Sequence, residues 1–132
     1  SSAAVFFVRT AGSDDADGLS PATAFASIAH AAAALRNPGD HVIVGPGTFK
    51  EGDISPRSGF AGHPVEFLAD THGTLTGDAA GPVLIMPPAP QTTGFLLAGR
   101  HHVSIDGFTV VGAVDAGIQV RADAAAVAST LS

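Results

Sequence analysis

From Asp40 onward the chain alternates short apolar runs with Gly, Pro, Asp and Thr, and the runs return at a nearly even interval. They are His41 to Val44, Val65 to Leu68, Val83 to Met86, Phe95 to Ala98, Val103 to Val111 and Ile118 to Val120. Runs of this length, bounded by turn formers, read as strands. One column drawn through Val44, Phe67, Ile85 and Ile105 has separations of 23, 18 and 20 residues, and a second through Phe49, Leu75, Leu96 and Ile118 has 26, 21 and 22. Intervals near 20 describe a chain that comes back to the same edge once per coil and stacks each strand about 4.8 Å above the last. A sandwich needs sequential antiparallel pairs, commonly joined by two-residue Asn-Gly reversals. The only Asn is Asn37, in a helix stop. The expected fold class is therefore an all-β solenoid.

Before Asp40 the pattern changes to that of a helix. Ser20-Pro21 reads as an N-cap followed by Pro at the first helical position, and Phe25, Ile28, Ala32 and Leu35 recur at three- and four-residue steps. Asn37-Pro38-Gly39-Asp40 stops it. The stripe is narrow and the remaining face is mostly Ala, so such a helix can lie flat on an apolar end as a lid.

Composition closes off several functions. With 132 residues and no second composition regime, one domain is expected. Six Lys plus Arg stand against twelve Asp plus Glu, and a formal charge of -6 offers no basic stripe for a general nucleic-acid binder. The absence of Cys removes disulfide scaffolds, thiolate zinc sites and cysteine nucleophiles. Apolar stretches such as Ala31 to Leu35 are far below the roughly 20 residues that cross a bilayer. The opening Ser-Ser-Ala-Ala lacks a basic start followed by an apolar run, so an export signal is expected to be absent or already removed. There is no phosphate-cradling Gly-rich loop followed by Lys and Ser or Thr, and no Gly-Xaa-Ser-Xaa-Gly elbow.

Several segments, taken in order, resemble the opening of pectate-lyase-like right-handed parallel β-helix proteins. They are Phe6-Phe7-Val8-Arg9, the loop Gly12 to Gly18, Phe25-Ala-Ser-Ile-Ala-His-Ala, and Pro38-Gly39-Asp40 through Gly47-Thr48-Phe49. The segments His63 to Phe67 and His102 to Val110 extend the resemblance to about Arg121. It implies a right-handed parallel β-helix of about four coils, at roughly 22 residues each. Residues 1–40 would then hold a first strand, an acidic loop and a capping helix, residues 41–121 the coils, and residues 122–132 an Ala-rich tail without a strand signal of its own. The resemblance also implies an exported or cell-surface protein. Its full-length relatives would include polysaccharide lyases, pectin-degrading hydrolases, epimerases and non-enzymatic adhesins, with acidic polysaccharide as the partner.

The candidate chemistry is sparse. A lyase needs a base beside a uronate carboxylate and a Ca²⁺ held on carboxylates to neutralise it. Lys50 is the only Lys and sits at a turn, where a solvated role is ordinary. A glycoside hydrolase needs two carboxylates about 5 to 9.5 Å apart. Asp106, Asp115 and Arg121, with His101 and His102 nearby, form the densest polar cluster and are the candidate catalytic residues, although Asp106-Gly107 is also a common bend. Asp14, Asp15 and Asp17 resemble the first half of a calcium loop and are candidate Ca²⁺ ligands. The twelfth position is Ala24 in place of a closing Glu, so a solvated turn competes with that reading. His63 and His72 have no carboxylate partner, and His101 and His102 should point to opposite faces of a strand. Neither Trp nor Tyr is present, and the eight Phe read mostly as interior. The leading expectation is a scaffold segment without a catalytic centre. Its rivals are a module that self-assembles through an open last coil and a small lyase or hydrolase.

Overall fold

The computed structural model describes residues 3–120 and 125–128. Within them the chain forms ten strands: β1 (Val5–Val8), β2 (His41–Val44), β3 (Gly47–Phe49), β4 (Val65–Ala69), β5 (Val83–Ile85), β6 (Thr93–Leu97), β7 (His101–Asp106), β8 (Thr109–Val110), β9 (Ala116–Val120) and β10 (Ala125–Ala128). One α-helix, α1 (Ile28–Ala34), is present among these residues. The strands make three sheets with the orders β1-β2-β4-β7-β10, β3-β5-β8 and β6-β9. All pairs between named strands are parallel. The chain is thus a parallel β fold with little helix, and it visits the three sheets in the same order more than once: β4, β5, β6, then β7, β8, β9.

The strand runs lie where the apolar pattern puts them, but the columns do not. Val42, not Val44, is the partner of Phe67, and Phe67 in turn faces Ile105. Ile85 belongs to a different sheet, where it pairs with Phe49 and Val110. Leu75 lies outside any strand, and Ile118 pairs with Phe95 in place of Leu96. The true column Phe6, Val42, Phe67, Ile105 has separations of 36, 25 and 38. Connections of unequal length, such as the one between Ala69 and Val83, break the even interval that the sequence suggests. Ala125–Ala128 form the fifth strand of the first sheet, within the Ala-rich tail whose structure the apolar pattern leaves open.

The inward side chains stack rung on rung. Phe6, Val42, Phe67 and Ile105 are almost fully buried, as are Val8, Val44, Val65 and Val103. Phe67, Phe95 and Phe108 meet edge to face, with ring centroids 5.5 Å apart in each pair. This geometry suits aromatic quadrupoles.

The expected single helix is split in two. Ser20 does cap Pro21–Thr23, accepting from the Thr23 amide, but that segment is one 3-10 turn. Phe25 is then pulled into extended backbone beside β1: its amide donates to the Phe7 carbonyl, and its carbonyl accepts from the Arg9 amide. The helix restarts at Ser27, whose hydroxyl accepts from the His30 amide. Ile28, Ala31, Ala32 and Leu35 enter the core, and α1 packs on β1 and β2. Arg57 donates to the Leu35 carbonyl at 3.0 Å, satisfying one acceptor past the helix end.

Asp40 joins the helical segment to the first sheet. It is fully buried, and its carboxylate accepts from the Ala4 amide at 2.7 Å, the Arg36 amide at 2.8 Å and the Asn37 amide at 3.0 Å. Burial works against its charge, yet the three backbone bonds and the Arg36 guanidinium together hold the carboxyl below the usual range. Gly39 precedes it at φ +86, a conformation that glycine adopts without strain. The Pro-Gly-Asp signature is a structural joint.

Candidate functional site

Neighbouring strands β2, β4 and β7 set His41 beside Glu66 and Glu66 beside Ser104. Their chain neighbours Val42, Val65, Phe67, Val103 and Ile105 are buried, so strand alternation turns this polar row outward. His41 Nε2 lies 2.8 Å from Glu66 Oε2, with the two side chains 45% and 42% exposed. At that exposure the pair contributes about 0–1 kcal/mol to stability and serves chiefly to orient the carboxylate.

A groove of about 400 Å³ opens over this row, lined by Gly62, Pro64, Glu66, His102, Val103 and Ser104. One wall is a hairpin in which Phe60 and His63 exchange backbone bonds of 3.0 and 2.8 Å. A Cβ on Gly59 would stand 2.6 Å from the His63 carbonyl oxygen and 2.7 Å from that of His102, so glycine lets the hairpin close against β7. Ser58 Oγ accepts from the His101 amide, and the Gly59 amide donates to the His101 carbonyl.

The opposite wall contains a backbone irregularity. His102 has φ +55, which costs of order 1–3 kcal/mol for a non-glycine residue. Across from it, Ala125 pairs with His101 and Val127 with Ser104, two steps against three, so β7 carries an extra residue there. Both His101 and His102 are consequently exposed, in place of the opposite faces that simple alternation predicts. The groove therefore offers one carboxylate, imidazole and a hydroxyl, with neither Lys nor Arg in its lining.

A second pocket, of about 260 Å³, lies among Thr10, Ala26, Ser27, Thr48, Phe49, Lys50 and Glu51. Glu51 is committed to structure there, accepting from the Ile28 and Ala29 amides at 2.8 Å each, the first orphan donors of α1. Burial, with a contribution from the nearby Asp14 charge, outweighs those bonds and pushes the Glu51 carboxyl above its ordinary range.

The residues chosen from sequence lie in different elements. Asp106 ends β7 in the five-stranded sheet, opposite Leu68, whereas Asp115 precedes β9, and its amide donates to the Thr92 carbonyl. Arg121 lies outside the described residues. Asp14 accepts from the Ala26 and Ser27 amides and the Ser27 hydroxyl. Although burial opposes its charge, these bonds hold its carboxyl below the usual range. Asp17 accepts from the Leu19 amide and the Thr23 hydroxyl, which lower its carboxyl likewise, and Asp15 is exposed. The acidic loop thus spends two of its carboxylates fixing the Phe25 crossing. Among the described residues no group of three or more His, Asp or Glu is placed to hold a metal ion.

What the residue pattern missed is the row His41, Glu66, Ser104. Each is the polar member of an alternating run, but joining them requires the register that the unequal connections hide. Exposed Phe60 was likewise not singled out.

No protein-family model matches the chain, and no curated protein matches it at a significant level. Among solved structures it is similar to a rhamnogalacturonan lyase, with a TM-score of 0.61 and 22% sequence identity. The match covers 81% of this chain and 28% of that one. At this identity the likeness is one of fold: the parallel β architecture is shared with part of a polysaccharide lyase.

Proposed function

We propose that the chain is a right-handed parallel β-helix of about four coils that serves as the N-terminal, capped scaffold segment of an exported protein related to polysaccharide lyases, hydrolases and epimerases. Residues 1–40 form its cap and residues 41–121 its coils, and the segment holds no catalytic centre of its own. The repeated visit to three parallel sheets in one order supports the coil reading, because stacked coils produce that order. Phe25 and Gly18 bond to the outer edge of β1, which suits a cap.

One observation carries the scaffold reading. Many of the acidic side chains are tied to backbone or to structural contacts: Asp14, Asp17, Asp40, Glu51 and Asp70 each accept backbone amides, and Asp78 holds Arg9 through two bonds of 2.6 and 2.9 Å. Of the candidate carboxylates for bond cleavage, Asp106 ends β7 of the five-stranded sheet and Asp115 lies in the turn before β9. The test is an assay on pectate, alginate and rhamnogalacturonan, following unsaturated uronides in the near ultraviolet and reducing ends. The expected result is silence from this chain and activity from a longer piece of the parent protein. Turnover by this chain that disappears in Asp106→Ala and Asp115→Ala would refute it.

A second reading is self-assembly. At the end of the five-stranded sheet β10 has β7 as its partner among the described residues, and an edge strand offers backbone groups to another chain. Sedimentation showing a strict monomer at high concentration would remove this reading.

A further inference from the structure

We infer that the groove over Glu66 and Ser104 is a binding subsite for an uncharged pyranoside ring. This rests on the carbohydrate reading above and goes beyond it in naming a site and a ligand class that differs from the acidic polysaccharide expected of the whole protein.

Size and rigidity come first. The volume of about 400 Å³ falls within the range of small-ligand sites, commonly about 300–1,000 Å³. Its floor is the paired strands β4 and β7, and its hairpin wall is locked to β7 by the Gly59 amide and the Ser58 hydroxyl. A site whose walls are already fixed loses little entropy on binding. The strained His102 lies in its lining, where irregular backbone commonly serves a ligand.

The chemistry of the lining then selects the ligand. Glu66 and Ser104 present acceptors and a hydroxyl at neighbouring positions, a match for the vicinal hydroxyls of a sugar. Pro64 in the lining adds an apolar face of the sort a pyranose ring covers. Against a uronate stand the Glu66 carboxylate, the lack of Lys or Arg in the lining and a net charge of -6. Like charge would disfavour an anionic ligand, while an uncharged one meets no such barrier.

The experiment is amide NMR titration of the full chain with xylotetraose and galactotetraose as uncharged probes and tetragalacturonate as the acidic one. Shifts centred on Gly62, Glu66, Val103 and Ser104 are expected with an uncharged probe, with binding weakened at least tenfold in Ser104→Ala and in Glu66→Gln. Both variants should keep the wild-type melting temperature, and Val114→Ser, on an exposed loop away from the groove, should bind normally. Absence of shifts at millimolar uncharged probe would overturn the inference. Preferential binding of tetragalacturonate in the groove would also overturn it, while leaving the acidic-polysaccharide scaffold intact. Inactivity of the longer protein on every polysaccharide, together with uncharged-probe shifts in the groove, would refute the scaffold reading and uphold this one.

Discussion

Replacing Asp40 by Ala should cost more stability than removing any other acidic side chain of the acidic loop or the last strands. The carboxylate is fully buried and accepts three backbone amides, two from the stretch that leaves α1 and one from the chain entering β1. A hydrogen bond to a charged group contributes about 1.5–3 kcal/mol, and a buried donor left unpaired costs about 1–3 kcal/mol. Water can reach part of the vacated space, so the summed loss should be about 3–5 kcal/mol. By the usual entropy of unfolding, that lowers Tm by roughly 10–20 °C. Urea denaturation and thermal melting followed by circular dichroism measure it, with exposed Asp115→Ala as a control expected within about 0.5 kcal/mol of wild type. The pH dependence has a definite sign. Because the Asp40 carboxyl sits below its unfolded value, its contribution is full above the unfolded pKa, near 3.9, and is lost as pH falls through the lower folded one. Asp40→Asn should therefore flatten the acid limb of the stability curve. An Asp40→Ala variant within about 1 kcal/mol of wild type would refute the claim that this side chain joins helix to sheet.

Phe95→Ala should destabilise the chain by about 3–5 kcal/mol, since the ring is fully buried between Phe67 and Phe108 and its loss opens a cavity in the stack. Urea midpoints measure this, and a loss below about 1 kcal/mol would contradict the packing. Glu51→Gln should behave oppositely to Asp40→Asn with pH. A carboxyl raised above its unfolded value makes folding less favourable when ionised, so wild type should gain stability relative to Glu51→Gln as pH falls from neutrality toward the unfolded carboxyl value. Paired denaturation curves at the two ends of that range test the sign, and a difference that moves the other way would show that the two α1 amides, not burial, govern Glu51.

Much of the fold was legible because strand alternation and turn residues are local signals. His41 to Val44 and Val65 to Leu68 were read from the apolar pattern almost residue for residue. Val103 to Val111 was read as one run and is two strands, because Gly107 at φ +87 turns the chain between β7 and β8. Register was not legible, since it depends on how many residues each connection takes up, and nothing local fixes that number. The same gap hid the site: His41, Glu66 and Ser104 become neighbours only once β2, β4 and β7 are aligned. The helix was overextended for a different reason. A three- and four-residue apolar step includes Phe25, but its backbone bonds to β1 outcompete the helical ones.

The central claim is that distant segments lie side by side in parallel, and interstrand nuclear Overhauser effects on the labelled chain test it most directly. The account predicts amide-to-α-proton contacts of parallel type linking the Phe67 stretch to those of Val42 and Ile105, and the Phe95 stretch to that of Ile118. Short α-proton to α-proton contacts between sequential strands, the mark of antiparallel pairing, would contradict it.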